Sequence, residues 1–189
     1  MTPAARFDAR KVAILGDCHI HPGKGLDWPT PVLDALSGAD LIVTLGDMGE
    51  TQGLDRLAAI APVIGVRGRD DGQDARTDAA FRVLEVGKER IGCVFDPTEH
   101  GLASKAYPFT PEPDWTAKAS AMFGGPIQIL LHASTHRLGV AAVDGIMIVD
   151  PGSAVLPADG SSPTLVFLTF EDGKEARFEI AVLAASRPA

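Results

Sequence analysis

The stretch Val12–His19, with the sequence VAILGDCH, decides the fold and contains the first candidate site residues. Its apolar run does not alternate with polar residues, which is typical of a strand buried in a parallel sheet. Gly16 allows a sharp turn as the chain leaves that strand. Asp17 and His19 then follow the carboxyl end of the strand, where open α/β sheets build their sites. A strand-to-loop turn with two solvated polar residues would give the same pattern.

A second apolar run, Asp40–Asp47 (DLIVTLGD), ends in the same way as the first. Between the two runs, Thr30 and the proline after it predict a helix start with Thr30 as the N-cap, and Gly38 predicts its end. A strand, a helix and a strand form a βαβ unit, whose strands run parallel and finish at the same edge of the sheet. Asp17 and Asp47 are therefore expected to meet there, although they are far apart in the sequence.

Length, charge and cysteine content restrict the class of protein. The chain has 189 residues, which favours a single domain over residues 1–189, and 46% of them are hydrophobic, as in globular proteins. Acidic residues outnumber basic ones by 25 to 17, and the net charge of −8 argues against nucleic acid as a general partner. The sequence contains no run of about 18 apolar residues, so no membrane span is expected. The first ten residues lack the apolar core of a signal peptide, and only two cysteines occur, which together favour a cytoplasmic location.

The rest of the chain predicts hairpins and further buried elements. Asp144-Gly145 is the clearest two-residue hairpin signal, and Asp96–Pro113, which has no periodicity, is interpreted as a long irregular loop. The predicted strands are Pro62–Val66, Phe81–Val86, Arg90–Phe95, Ile127–His132, Val140–Val143, Ile146–Val149, Thr164–Phe170 and Glu175–Val182, the last two joined around Asp172-Gly173. A helix that ends at Gly124 carries core residues. We therefore expect an α/β protein in which a mixed sheet packs on a second sheet, with helices outside.

Five short motifs follow these elements in a fixed order. They are Gly16-Asp17-x-His19, Gly46-Asp47, Gly68-x-x-Asp71, Ser134-Thr135-His136 and Asp150-Pro151-Gly152-Ser153. In this order the set resembles the calcineurin-like metallophosphoesterases, in particular their small bacterial and archaeal phosphodiesterases, over about Val12–Ser153. The resemblance implies a four-layer α/β/β/α sandwich of two mixed sheets flanked by helices. It also implies a two-metal site where Asp17 and Asp47 converge.

Three positions depart from the family pattern. Arg69 replaces the Asn of Gly-Asn, Phe95-Asp96 replaces His-Gly, and Ser134 replaces the first His of Gly-His-Thr-His. In the family, these positions hold the ligands that only the second metal uses. The ligands of the first metal are retained here, as Asp17, His19, Asp47 and His136. The resemblance therefore implies one divalent ion per chain, and the donor types suit Mn, Fe or Zn.

Arg69 is the candidate to compensate for the missing ion. One ion can still bind a phosphate oxygen and activate a water, so Asp47 and Arg69 are the predicted catalytic residues. The Arg69 guanidinium would stabilise charge on the phosphoryl oxygens, and we expect it to contact the carboxylate of Asp47 or Asp96. An equally open interpretation is an arginine that pairs with Asp96 or Asp70 and merely fills the space.

Secondary site residues are suggested by the same comparison. The candidates are Asp96, Ser134, His100 and His132. His100, with Gly101, could be a displaced His-Gly, and His132 could replace Ser134 as a ligand, although a satisfied core histidine is the more common case. His21 could also reach the site, but a solvated loop position is favoured. Cys18 is expected to point away from the site, because neighbours in an extended chain point apart.

Two classes of function remain. One is a metal-dependent phosphoesterase that hydrolyses a small phosphodiester or phosphomonoester, with no membrane partner and with a homo-oligomer as an open option. The other is a non-catalytic binding or scaffold protein, like the retromer subunit that shares this fold. The four retained ligands favour the enzyme, because an idle site has no reason to keep them.

Overall fold

The computed structural model describes residues 4–171 and 174–184. Its strands are β1 (Ala5–Phe7), β2 (Lys11–Leu15), β3 (Leu41–Thr44), β4 (Val63–Gly65), β5 (Phe81–Val86), β6 (Glu89–Val94), β7 (Ala103–Lys105), β8 (Thr110–Pro111), β9 (Ile129–Leu131), β10 (Leu138–Val143), β11 (Ile146–Pro151), β12 (Thr164–Thr169) and β13 (Arg177–Val182). Its helices are α1 (Thr30–Leu36), α2 (Thr51–Ala58) and α3 (Trp115–Phe123), and a 3₁₀ turn covers Pro22–Lys24.

A five-stranded sheet carries the predicted βαβ unit. Its order is β13-β12-β2-β3-β4, and β2, β3 and β4 run parallel while β12 pairs antiparallel with both β2 and β13. Register pairs Leu15 with Thr44, so β2 and β3 end side by side. Both strands are almost fully buried, as their unbroken apolar runs predict. The loops that follow them therefore start from the same edge of the sheet.

A six-stranded mixed sheet packs against the first. Its order is β1-β5-β6-β9-β11-β10, with the hairpins β5–β6 and β10–β11 and the parallel strand β9 between them. Asp144 and Gly145 form the turn between β10 and β11, as predicted, and both have positive φ. The loop after β9 carries Ser134, Thr135 and His136 towards the first sheet.

Three apolar clusters separate four layers. The cluster between the sheets includes Ile14, Val43, Ile91, Leu131, Val149 and Val166. A second packs α1 and α2 on the outer face of the five-stranded sheet, and a third packs α3 on the outer face of the six-stranded sheet. The expected α/β/β/α sandwich of two mixed sheets flanked by helices is confirmed. No helix in the described ranges is long and apolar enough to cross a membrane.

Local boundaries differ from the sequence prediction at several elements: β4, β9 and β13 are shorter than predicted, and β10 begins two residues earlier. The N-cap of α1 is Pro29 rather than Thr30, because the Pro29 carbonyl accepts the first helical bond, from Val32 N at 2.9 Å. The predicted irregular loop Asp96–Pro113 is wrong in part, since it contains the antiparallel pair β7–β8. Those two strands are too short to show a period-2 pattern, and the prolines near them further obscure it. The turn Asp172-Gly173 lies outside the described residues, and the single domain over residues 1–189 stays a prediction.

Candidate metal centre

The loops after β2 and β3 run side by side and bring their polar residues together. Asp17 N donates to Gly46 O at 3.0 Å, and His19 N donates to Asp47 O at 2.9 Å. The two Gly-Asp turns thus continue the parallel pairing beyond the strands. This backbone pairing places Asp17, His19 and Asp47 in one cluster, as the βαβ argument predicts for the two aspartates.

The loop after β9 closes over Asp17 from the second sheet. The Asp17 carboxylate is fully buried and accepts Ser134 N at 3.2 Å on Oδ1 and His136 N at 2.9 Å on Oδ2. The Ser153 hydroxyl donates to the Asp17 carbonyl at 2.7 Å. Burial raises the pKa of Asp17, and backbone donors counter that effect only in part. Because the neighbouring Asp47 carboxylate also disfavours ionisation of Asp17, a nearby cation would stabilise the charged form of this pair.

Two imidazoles face the cluster as a parallel stack. The rings of His19 and His136 have centroids 5.2 Å apart and planes 7° from parallel. Nδ1 of His136 lies 2.6 Å from the carbonyl of Leu156, so this nitrogen carries the proton. Nδ1 of His19 lies 2.7 Å from Asp70 Oδ2, a partner that favours the same tautomer. Both Nε2 atoms then keep their lone pairs, and that of His19 lies 3.8 Å from Asp47 Oδ2.

Unusual backbone geometry is concentrated here. Five non-glycine residues of this cluster have left-handed φ between 49° and 76°: Asp17, His19, Asp47, Ser134 and His136. Such conformations cost free energy, and they persist at functional sites where the surroundings enforce them. Each of the four predicted metal ligands is among them. The sequence motifs do not reveal this feature.

The donor set fits a divalent cation. Two carboxylates and two imidazole Nε2 atoms on short loops offer the mixed oxygen and nitrogen ligands that Mn, Fe and Zn accept. The partners of the two Nδ1 atoms fix the orientation of the imidazoles, which is the usual arrangement behind histidine ligands. Asp47 keeps Oδ2 free of other hydrogen bonds among the described residues, since only Oδ1 accepts Asp70 N, at 2.8 Å.

Arg69 lies beside the cluster and is held by two carboxylates. Its Nη2 donates to Asp96 Oδ2 at 2.7 Å and to Glu99 Oε1 at 2.5 Å, and its Nε donates to Glu99 Oε1 at 3.1 Å. The guanidinium also lies 5.1 Å from the centre of the Phe95 ring. The Asp96 contact agrees with both interpretations of Arg69, and the structure shows no hydrogen bond from Arg69 to Asp47 or Asp70 among the described residues. Glu99 had no signal in the sequence motifs.

Asp96 is a preorganised partner for that arginine. Burial acts to raise the pKa of Asp96, but hydrogen bonds from Thr98 and Arg69 outweigh it and lower the pKa. Glu99 and Asp96 in turn raise the pKa of Arg69. The Arg69 side chain remains 59% exposed, and Nη1 donates to no carboxylate in the described part of the chain. One edge of the guanidinium therefore stays accessible.

Asp70 and His21 form an unexpected extension of the cluster. Nε2 of His21 lies 2.8 Å from Asp70 Oδ2, the same oxygen that His19 Nδ1 contacts. The prediction of a solvated loop position for His21 is wrong, because its side chain is only 14% exposed. Asp71, by contrast, accepts the backbone N–H groups of Met48, Gly49 and Gly68 and serves the loop backbone.

The remaining candidates lie in varied settings. Ser134 contributes its backbone N–H to Asp17, as described above. His132 is buried, with Nδ1 3.3 Å from the Ala133 carbonyl and 3.5 Å from Asp150 Oδ2, which is the arrangement of a core histidine. His100 makes no side-chain hydrogen bond within the described ranges. Cys18 is buried in the cluster under α1 and α2, with Sγ 3.3 Å from the Gly16 carbonyl, in agreement with the expectation that it points away.

Comparisons with known proteins show which family this chain resembles. A sequence model of the calcineurin-like phosphoesterase superfamily domain matches residues 11–173. A probable metallophosphoesterase of Methanocaldococcus jannaschii is 25% identical over 166 residues, covering 88% of this chain and 79% of the relative. Another, from Methanothermobacter thermautotrophicus, is 25% identical over 169 residues, covering 89% and 90%.

Among solved structures, the fold is similar to that of Vps29 from Chaetomium thermophilum. The TM-score is 0.68 at 22% identity, over 95% of this chain and all of that one. At this identity the likeness concerns the fold alone. Together with the match of the family model over residues 11–173, the two-sheet sandwich and the loops that meet at Asp17 show that this chain belongs to the calcineurin-like phosphoesterase superfamily.

Proposed function

We propose that this protein is a metal-dependent phosphoesterase that works with one divalent ion and with Arg69. The observation that carries the proposal is that loops from both sheets bring two carboxylates and two stacked imidazoles into one cluster. The residues that would hold the ion are Asp17, His19, Asp47 and His136. When bound, such an ion polarises a phosphoryl oxygen and lowers the pKa of a coordinated water towards about 7.

The chain's own groups define what else the site can do. Asp70 and the Leu156 carbonyl keep the two histidines in the Nδ1–H tautomer, so the site needs no proton shift before it binds a cation. Arg69 is aimed by Asp96 and Glu99 and presents its free Nη1 edge, which can donate to a phosphoryl oxygen as charge develops there. Well-placed arginines contribute about 10³ to 10⁵ in phosphoryl transfer.

The substrate class follows from the groups that the site lacks. The family histidines at the positions of Phe95 and Ser134 are absent, so no obvious general acid stands ready to protonate a leaving group. A good leaving group is therefore favoured. We expect activity on nitrophenyl phosphodiesters to exceed activity on unactivated diesters.

An activity screen of the Mn²⁺-loaded protein tests the proposal. We expect turnover of a nitrophenyl phosphodiester that falls at least a hundredfold in Asp47→Asn and in Arg69→Ala, measured separately. Arg67→Ala is the matched control, because this exposed arginine lies two residues away and forms no ion pair within the described residues. Full activity in Arg69→Ala would show that the arginine only fills space. Wild type without turnover on monoesters, diesters and nucleotides would favour the binding or scaffold alternative.

A further inference from the structure

A second group of metal-binding side chains lies next to the proposed centre. His19, His21 and Asp70 place three ligand atoms within 4.8 Å of one another. Nδ1 of His19 and Nε2 of His21 approach the same oxygen, Asp70 Oδ2, at 2.7 and 2.8 Å. Among the described residues, Asp70 forms ion pairs with these two histidines alone. We call these three residues the His-His-Asp cluster.

The backbone holds the cluster in place. His21 N donates to Leu26 O at 2.8 Å, and Leu26 N donates back to His21 O at 3.0 Å, so His21 lies in a closed loop around the 3₁₀ turn. The neighbouring backbone is tied to the β3 loop, because Ile20 N donates to Met48 O and Glu50 N donates to Ile20 O, both at 2.8 Å. Asp70 is fixed through its own N–H on Asp47. The ligands thus converge without a rearrangement of the loops.

We propose that the His-His-Asp cluster binds a zinc ion of its own. Two imidazole nitrogens and one carboxylate oxygen are a common ligand set for zinc, which takes a water in the fourth position. At such a site zinc binds more tightly than manganese, since affinity for nitrogen ligands rises along that series of metals. Glu50 stands behind His21, with Oε1 3.5 Å from Nδ1. When the ion takes Nε2 of His21, the Glu50 carboxylate lies on the side of Nδ1, the nitrogen that then carries the proton.

We call the proposed site of Asp17, His19, Asp47 and His136 the main centre. Zinc in the His-His-Asp cluster excludes the ion of the main centre, an inference that rests on the proposed function. Neutral imidazole has a single lone pair. Zinc on Nδ1 of His19 therefore moves the proton from Nδ1 to Nε2, and Nε2 is the atom that faces Asp47. His19 can then no longer ligate the ion in the main centre. Excess zinc is accordingly an inhibitor of the manganese-loaded enzyme, and His21 is the residue that makes the inhibition possible.

Zinc binding can be measured apart from catalysis. In Asp17→Asn/Asp47→Asn, which lacks both carboxylates of the main centre, we expect equilibrium dialysis to show one zinc per chain. Adding His21→Ala weakens that binding at least tenfold, whereas adding His100→Ala, a histidine outside the cluster, leaves it unchanged. Equal zinc binding with and without His21 would overturn the proposal. If the double variant does not fold, Asp47→Asn alone is measured in the same way.

The two proposals fail in different ways. In the wild type with Mn²⁺, His21→Ala should raise the zinc concentration for half inhibition at least tenfold, while His100→Ala should not change it. If zinc binding depends on His21 but the protein turns over no phosphoester, the proposed function is contradicted and the zinc site remains supported. If the protein hydrolyses a phosphoester but His21→Ala changes neither zinc binding nor zinc inhibition, the zinc site is contradicted and the proposed function remains supported.

Discussion

His132 and Asp150 form a buried pair on the far side of the loop that carries His136. Asp150 is 1% exposed, and its carboxyl accepts Thr135 Oγ1 at 2.7 Å and Gly152 N at 2.9 Å. Burial raises the pKa of Asp150 to about 8 and lowers the pKa of His132 to about 4. Both side chains are therefore uncharged in the folded protein at neutral pH.

This pair makes stability depend on pH in a defined window. Between pH 4 and 6.5, the unfolded chain lacks the Asp150 proton that the folded state keeps, but it carries a His132 proton that the folded state lacks. Both states then bind the same number of protons at these two groups, so the free energy of unfolding does not change with pH there. Between pH 6.5 and 8, His132 is neutral in both states, and the folded state alone keeps the Asp150 proton. The free energy of unfolding therefore falls as pH rises through this window, by about 2 kcal/mol for one proton.

Replacing the carboxyl by an amide tests this dependence. We expect Asp150→Asn to lose the decline between pH 6.5 and 8 that wild type shows in urea unfolding with a chelator present. The chelator removes the separate pH dependence of metal binding. Exposed Asp34→Asn should keep the wild-type decline. Parallel pH profiles of wild type and Asp150→Asn would show that Asp150 ionises normally in the fold.

At the same scale, sequence reasoning named the residues of the proposed metal centre but not the groups that orient them. Asp17 and Asp47 follow from strand ends, and His19 and His136 from the ordered motifs. Glu99 was missed as a partner, Asp70 was considered only as a partner of Arg69, and a solvated loop position was favoured for His21. The roles of all three depend on side-chain directions across loops. A local pattern of residue types does not contain those directions.

At the scale of elements, the loop after β4 must approach the β3 loop very closely. A Cβ atom on Gly68 would lie 2.0 Å from Asp47 N and 2.4 Å from Asp47 Oδ1. Gly46 is equally constrained, with φ +99° and the Gly68 backbone against it. The glycines of these motifs therefore let two loops touch where Asp47, a proposed metal ligand, is positioned.

Gly68→Ala should consequently displace Asp47. We expect a loss of about 1–3 kcal/mol in the free energy of unfolding, as for other overpacked sites, and at least tenfold weaker Mn²⁺ binding by calorimetry. Gly139→Ala is the control, because its Cβ would lie 3.5 Å from the Tyr107 ring, an ordinary contact. Unchanged manganese affinity in Gly68→Ala would mean that Asp47 tolerates the shift or is not a ligand.

Elements with a strong local signal were predicted well, and those without one were not. The β10–β11 hairpin follows from Asp144-Gly145, and β2 and β3 from their continuous apolar runs. The β7–β8 pair escaped prediction because its two short strands are defined by their mutual hydrogen bonds and by the packing of neighbouring residues, such as Leu102 under α3. Propensity carries little information over two or three residues.

At the scale of the whole molecule, the proposed metal centre lies at the junction of the two sheets. Asp17, His19 and Asp47 lie on loops of the five-stranded sheet, and His136 lies on the loop after β9 of the six-stranded sheet. The two-layer arrangement of sheets was predictable from the hairpins, the βαβ unit and the family resemblance. How closely the two sets of loops approach one another was not, since it results from packing between the sheets.

Binding of a cation at that junction should stabilise the entire fold. The ligands span residues 17 to 136 and both sheets, so the unfolded chain offers no preformed site and binding acts on the folded state alone. At a free Mn²⁺ concentration of about 100 times Kd, the expected gain is about 2.7 kcal/mol. For a chain of this size that gain raises Tm by roughly 5–10 °C. Scanning calorimetry with and without Mn²⁺ measures the shift, which Asp17→Asn should abolish and exposed Asp34→Asn should keep. A wild type whose Tm ignores manganese at that concentration would contradict a metal centre that joins the sheets.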